Sequence, residues 1–184
     1  ELKSPGPVAV SINQTIYVGD VSNRRVSVFN QHGLFQYTIG RGGNSGDLKN
    51  LSHVSIDAEE NVYVLEGAER ISIFNLMGDL LARFTAKDLK QYFGKTPKFS
   101  ALAADLDGNL YIGDRVQSRI TVFDWRNLKV LKNIGSLGQS RGQYRNISYL
   151  SINAHGQLAV LDKKNKKLEV YQLDQKSFAA PVTY

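Results

Sequence analysis

The sequence predicts an all-β fold of four similar units with four strands each, the arrangement of a β-propeller. The first observation is repetition, because the segment 16–29 returns three more times along the chain. The second is content, since each copy contains four short β-branched and aromatic stretches, and units of about 45 residues with four strands are typical of propeller blades. The third is spacing: the acids that end the second stretch recur at intervals of 46, 48 and 48 residues, at Asp20, Glu66, Asp114 and Asp162.

The first copy shows the elements of the unit in order. Its strand-like stretches are 8–12, 16–18, 26–29 and 35–39, and Gly, Asn or Asp bounds them. The turn Asp107-Gly108-Asn109 joins the first two strands of the third copy, where glycine supplies the positive φ of a tight hairpin. Between the second and third copies, only 87–93 has helical spacing, with Leu89, Tyr92 and Phe93 on one face. We therefore expect one short helix outside the blades.

A polar motif lies between the second and third strands of each copy. In the first copy Asp20 is followed by Asn23, and Arg25 precedes the aliphatic residue that opens the third strand. This pattern resembles the NHL repeat, whose signature has the same three residue types at the same spacing. Because the motif recurs in every copy and a catalytic residue is needed once, we expect a structural role for it. The predicted structural residues are Asp20, Asn23, Arg25, Glu66, Arg70, Asp114, Arg119, Asp162, Asn165 and Lys167.

The resemblance to the NHL family covers residues 2–173 and implies a propeller, usually of six blades. The four copies predict one domain over 1–184, with blades at about 2–46, 47–92, 93–141 and 142–184. An arc of four blades leaves two open sheet edges, which proteins avoid. Further blades, closure of the four into a ring, or a partner on the edges would each remove them. We expect the first, with this chain a piece of a longer protein.

Composition excludes several kinds of site. The chain has 184 residues and no cysteine, which excludes disulfides, thiolate zinc sites and a cysteine nucleophile. No apolar run approaches the ~20 residues of a membrane-spanning helix, so we expect no membrane span. His32, His53 and His155 fall in different copies and at both ends of the predicted blades, unlike a zinc ligand set. We therefore expect no cofactor and no enzymatic activity.

The basic residues concentrate in particular loops. Residues 1–92 have a net charge of −1 and residues 93–184 one of +7. In a propeller, the inter-blade loops and the loops between second and third strands open on one face, which we call the top face. The opposite, bottom face carries acids in its turns, among them Asp57, Glu59 and Asp107. The predicted partner-binding residues of the top face are Arg41, Lys49, Lys95, Lys98, Arg115, Arg141, Arg145, Lys163, Lys164 and Lys166.

These observations predict a non-enzymatic scaffold that contacts protein partners through its basic top face, as a component of a larger assembly. A basic surface favours acidic partners. The alternative is binding of RNA or another polyanion, since some NHL domains bind single-stranded RNA on this face. A metal-dependent lyase or hydrolase is the third alternative, because the NHL resemblance includes such an enzyme. The lack of cysteine and the Asn-rich turns favour a bacterial periplasmic or cell-surface location over the cytoplasm.

Overall fold

The computed structural model describes residues 1–40, 48–173 and 181–183. It is an all-β structure with four four-stranded sheets, and each sheet is one blade of a propeller. Blade 1 contains β1 (Pro5–Val10), β2 (Ile16–Asp20), β3 (Arg25–Phe29) and β4 (Phe35–Ile39). Blade 2 contains β5 (Leu51–Ile56), β6 (Val62–Glu66), β7 (Arg70–Phe74) and β8 (Leu80–Thr85). The predicted fold class is therefore confirmed.

Blades 3 and 4 repeat the order after one short helix, α1 (Lys90–Phe93). Blade 3 contains β9 (Phe99–Ala104), β10 (Leu110–Asp114), β11 (Arg119–Asp124) and β12 (Lys129–Ile134). A two-stranded parallel ladder follows, made of β13 (Ser136–Leu137) and β14 (Gln143–Tyr144). Blade 4 contains β15 (Ile147–Ile152), β16 (Gln157–Asp162), β17 (Lys167–Gln172) and β18 (Val182–Thr183).

The copies match in backbone irregularities as well as in strand order. Within each blade all neighbouring strands are antiparallel and pair in chain order. Each pairing of first and second strands contains a register shift near the start of the first strand, as between Leu51 and His53 in blade 2. In blades 2 and 4 a serine hydroxyl near this shift, Ser52 or Ser148, donates to a carbonyl oxygen of the second strand at 3.1 Å. The repeat in the sequence is thus a repeat of one backbone unit.

Packing between consecutive blades forms the core. The first strands lie side by side in chain order, with β1 on β5, β5 on β9 and β9 on β15. Three buried clusters lie between blades 1 and 2, 2 and 3, and 3 and 4. A tyrosine from the second strand faces the following blade in each of the first three blades: Tyr17, Tyr63 and Tyr111. Aromatic burial of this kind dominates core energetics.

Two local predictions differ from the structure. The helix covers four residues, not 87–93, because Thr85 and Asp88 hydrogen-bond each other in a turn before it and Gly94, at φ 80°, ends it. The first strand begins at Pro5 although the sequence pattern begins at Val8. None of the described helices is long and apolar enough to cross a membrane.

Candidate interaction surface

The acid that ends the second strand hydrogen-bonds two backbone segments of the top face. In blade 3, Asp114 accepts the backbone N–H of Lys98, just before β9, at 3.0 Å and that of Val116 at 2.8 Å. The amide of Gln117 donates to the other carboxylate oxygen at 3.0 Å. Asp114 is fully buried. It therefore ties the start of the first strand to the loop between the second and third strands.

Blades 1 and 4 repeat these contacts. Asp20 accepts the backbone N–H groups of Lys3 and Ser4 and the side-chain amide of Asn23. Asp162 accepts those of Arg145 and Asn146, and the amide of Asn165 at 2.8 Å. Burial opposes the charge on Asp20, but the hydrogen bonds from Asn23, Ser4 and Lys3 hold the pKa of this carboxyl below its usual range. The acid thus makes the same backbone contacts in three blades, and the structural role of the motif stays a prediction.

The basic residue of the motif pairs with the acid of the motif in blades 1 and 2 but has other partners in blades 3 and 4. Arg25 Nε lies 3.5 Å from Asp20, and Arg70 pairs closely with Glu66. Arg119 instead donates to the carbonyl oxygen of Phe93 at 3.1 Å. Lys167 donates to the carboxylate of Glu169 and to the carbonyl oxygen of Ser140, both at 2.8 Å. The contact that the copies of the motif share is that of the acid with the backbone.

A buried cluster beside the motif distinguishes blade 4 from the described parts of the other three blades. Glu169, on β17, accepts hydrogen bonds from Lys167 at 2.8 Å, from Tyr144 at 2.7 Å and from the backbone of Gly142 at 3.0 Å. Tyr144 also contacts the hydroxyl of Tyr171. Burial would raise the pKa of Glu169, but its hydrogen bonds, that of Lys167 foremost, hold the pKa below its usual range. Burial raises the pKa of Tyr171 to about 12.

Nine of the ten predicted partner-binding residues lie in the loops at the strand ends that form the top face. Arg41 falls outside the described residues. The other nine are exposed, at Lys49, Lys95, Lys98, Arg115, Arg141, Arg145, Lys163, Lys164 and Lys166. Nothing in the structure tests whether a partner binds them, so their role stays a prediction.

A cleft of about 680 Å³ opens among these loops between blades 2 and 3. Exposed side chains of Lys49, Lys87, Lys98 and Glu69 line it, together with the Glu66–Arg70 pair. Ala68, Ala86, Pro97 and Val116 add apolar surface. Lys87 is missing from the predicted set, although it follows the last strand of blade 2 and so belongs to an inter-blade loop. Apolar surface with a few convergent charged groups is the usual composition of a binding cleft.

Two buried acids of the bottom face, Glu60 and Asp57, make structural contacts. Glu60 accepts hydrogen bonds from Ser11 at 2.7 Å and Tyr17 at 3.0 Å, which joins blade 2 to blade 1. Burial opposes its charge, but these bonds hold the pKa of Glu60 below its usual range. Asp57 is buried and accepts the hydroxyl of Tyr63 at 2.6 Å. Within the described ranges, no three His, Cys, Asp or Glu side chains are grouped to hold a metal ion.

The three histidines lie apart. His32 is in the turn between β3 and β4, and His155 is in the turn between β15 and β16. His53 lies on β5 and lines a central channel of about 440 Å³ between the first strands of all four blades, where its ring meets that of Tyr149 at 5.0 Å. Burial lowers the pKa of His53, and the backbone of Ser148 opposes this shift. A buried imidazole against a tyrosine ring is a packing arrangement.

Comparisons with known proteins support the propeller fold. A family model described as a six-bladed β-propeller matches residues 101–182, which span most of blades 3 and 4. The structure of streptogramin B lyase is similar, with a TM-score of 0.64 and 10% identity over 98% of this chain and 54% of that one. U3-55K has a TM-score of 0.68 at 13% identity, over 100% of this chain and 52% of that one. The structure of RRP9 WD40 repeats has a TM-score of 0.63 at 14% identity, over 98% of this chain and 51% of that one.

These likenesses show the fold alone, because sequence identity is low. The chain spans about half the length of these solved propellers. No curated protein sequence matches it. The NHL resemblance therefore stays a prediction, while the propeller architecture is shown.

Proposed function

We propose that this chain is part of a non-enzymatic interaction scaffold that binds an acidic protein partner on the basic top face. The cleft between blades 2 and 3 carries the proposal, because three exposed lysines surround apolar surface of the same few loops. The lysine ammonium groups attract an acidic partner and orient it on the cleft. The apolar residues supply the contact that stabilises the complex. A propeller suits this use because its blades hold the loops rigidly.

RNA binding is the weaker alternative. Sequence-tolerant binding of single strands requires aromatic rings on which bases stack. Near the top loops, the rings of Phe93 and Tyr144 are buried, and the ring of Tyr92 packs on that of Phe123 with 5.6 Å between the centroids. These three rings already make packing contacts inside the protein, which disfavours their use as a stacking platform for bases.

A lyase or hydrolase activity is the third alternative. It would require metal ligands or an acid–base pair at an accessible site. The strongest carboxylate clusters, around Glu60 and Glu169, are buried and hydrogen-bonded on several sides. Their arrangement favours a structural role.

The test is charge reversal at the cleft. Lys98→Glu is compared with Lys129→Glu, which reverses the same charge on the exposed outer strand β12. The protein is purified from its native source in each form, and co-purifying proteins are quantified by mass spectrometry. We expect Lys98→Glu to reduce partner recovery about tenfold, the effect of ~1.4 kcal/mol in binding, and the control to retain it.

Two results would contradict the proposal. Equal recovery by both variants would remove the cleft from the contact surface. Release of the partner by nuclease would favour RNA, and a log-linear fall of binding with salt would then measure the number of phosphates contacted.

A further inference from the structure

Every blade has a basic residue at the same point of the repeat, just before its first strand. In each blade the acid that ends the second strand accepts the backbone N–H of this residue, at distances between 2.7 and 3.2 Å. The backbone contact therefore fixes the same position four times. The four residues, which we call the basic arc, are Lys3, Lys49, Lys98 and Arg145.

The fold uses the backbone of the basic arc and leaves its side chains exposed. All four side chains are exposed, and within the residues that the structure describes none of them takes part in an ion pair. The residue before each is apolar, and Leu48, Pro97 and Tyr144 are buried there. Only 23 of the 184 residues are Lys or Arg, so composition does not account for four basic residues at four equivalent positions. Packing explains the apolar neighbours but not the basic side chains.

The basic arc follows the top ends of the strands that line the central channel. These first strands, β1, β5, β9 and β15, lie side by side in chain order. Lys49 and Lys98 also line the cleft between blades 2 and 3, whereas Lys3 and Arg145 belong to blades 1 and 4 and do not line it. The arc therefore continues the positive charge of the cleft to both sides, across consecutive blades of one face.

We infer that the basic arc binds an acidic run of a partner polypeptide, a segment with several Asp or Glu residues that crosses the top face and meets one cation in each blade. The inference rests on the proposed function and names the part of the acidic partner that is recognised. Charge complementarity supports it. Polar residues follow the arc in three blades, at Ser4, Asn50 and Asn146, so the arc offers repeated charge without an exposed apolar anchor of its own.

The weakness of single exposed ion pairs makes the number of acids important. One such pair changes affinity by about two- to fivefold. Contacts linked in one segment combine, because the first contact holds the others near their partners. The arc should therefore select a run of carboxylates over a single one. Phosphates of RNA would meet the same cations, but a stacking platform for bases is disfavoured at the top loops, so RNA is an outcome of the test.

The test measures binding of fluorescein-labelled decaglutamate to the chain by fluorescence anisotropy at low ionic strength, where charges are weakly screened. Each substitution of one arc residue by glutamine should weaken binding about two- to fivefold. The variant with all four substitutions should lose at least ~16-fold, if the contacts contribute independently. Because the side chains are exposed, denaturation midpoints should be unchanged. The four single variants are Lys3→Gln, Lys49→Gln, Lys98→Gln and Arg145→Gln.

A charge-matched variant is the control for general attraction by the basic chain. It substitutes four exposed lysines outside the arc by glutamine and should weaken binding by less than about threefold. Equal losses in the two quadruple variants would overturn the inference, because net charge alone would then explain binding. The control positions are Lys90, Lys95, Lys129 and Lys164.

The remaining outcomes separate this inference from the proposed function. Losses confined to Lys49→Gln and Lys98→Gln would overturn the arc and leave the cleft as the binding site. Losses confined to Lys3→Gln and Arg145→Gln would count against both. Failure of the wild-type chain to bind decaglutamate would overturn the arc, while recovery of the partner by the Lys98→Glu variant judges the proposed function separately. Tighter binding of labelled decauridylate, with the same losses in the arc variants, would replace the acidic segment by RNA.

Discussion

In blade 2 the acid that ends the second strand is Glu66, and Arg70 on the facing strand pairs with it directly. In blade 4 the same positions hold Asp162 and Lys167, which face each other in register but bind elsewhere. Asp162 is occupied by four backbone N–H groups and one amide. Lys167 turns to Glu169, which takes the place of Ser72.

In both blades a carboxylate pairs with the basic residue of the motif, but it belongs to a different position of the repeat in each. Glu66 has a side chain long enough to accept the Lys49 backbone, Ser72 and Arg70 at once. The oxygens of Asp162 accept backbone N–H groups and the amide of Asn165, and the buried Lys167 pairs with a second acid, Glu169. A buried charge without a partner is strongly destabilising. The substitutions of blade 4 are therefore coupled.

The largest expected effect comes from breaking the cluster of blade 4. Glu169→Ala leaves Lys167, with a side chain only 9% exposed, without its carboxylate. We expect the free energy of unfolding to fall by about 3–5 kcal/mol. Ser72→Ala, at the same position of blade 2, removes a hydroxyl and should cost about 1 kcal/mol. Denaturant titration of both variants measures the difference.

The double variant Lys167→Met/Glu169→Leu serves as the control. It removes both charges and retains bulk, so it should lose less stability than Glu169→Ala. Equal losses in Glu169→Ala and Ser72→Ala would mean that the cluster contributes no more than one hydroxyl, and the comparison between blades would fail.

The pH dependence of stability provides a second comparison of blades 4 and 2, with a smaller expected effect. The pKa of Glu169 is below its usual range in the folded chain, so this group contributes stability above the unfolded pKa of about 4.3. That stability is lost as pH falls through the folded pKa, and each tenfold difference in proton affinity between the folded and unfolded chain corresponds to about 1.4 kcal/mol. We expect Glu169→Gln to flatten the decline of stability between about pH 5 and 2. Glu69→Gln, at an exposed acid of blade 2, is the control. Parallel acid limbs for wild type and Glu169→Gln would contradict the assignment.

The repeated part of the fold was accessible from the sequence, for physical reasons. The signals for strands and turns are the alternation of apolar residues and the turn residues, and both depend on only a few neighbouring positions. Each copy of the repeat therefore predicts its own hairpins, and the prediction is made four times independently. The acid–backbone contacts were predictable as a class, because Asp20, Asp114 and Asp162 recur at the same point of the unit. The loop assignment of Lys49 and Lys98 followed from strand order alone.

The non-repeating features were not accessible. The cluster of Glu169 depends on Tyr144, which reaches it from the two-residue strand β14 in the connection between blades. No period or motif marks a contact across 25 residues of that kind. Similarly, the cleft depends on how Lys87 and Pro97 come together around α1, the helix between blades 2 and 3. Side-chain contacts outside the repeat require the three-dimensional packing.

The smallest expected loss of stability comes from removing a side-chain amide that makes equivalent contacts in blades 3 and 4. The side-chain amide of Asn165 donates to Asp162 and to the carbonyl oxygen of Gly138. The side-chain amide of Gln117 donates to Asp114 and to the carbonyl oxygen of Phe93. Because both amides make one bond to the acid and one to the preceding connection, Asn165→Ala and Gln117→Ala should each cost about 1 kcal/mol of unfolding free energy. Denaturant titration measures both losses from the shift in midpoint, provided that the dependence of the unfolding free energy on denaturant is unchanged. A much larger loss for Asn165→Ala would show that the special electrostatics of blade 4 extend from Glu169 to the shared motif, whereas equal losses confine them to the residues that differ.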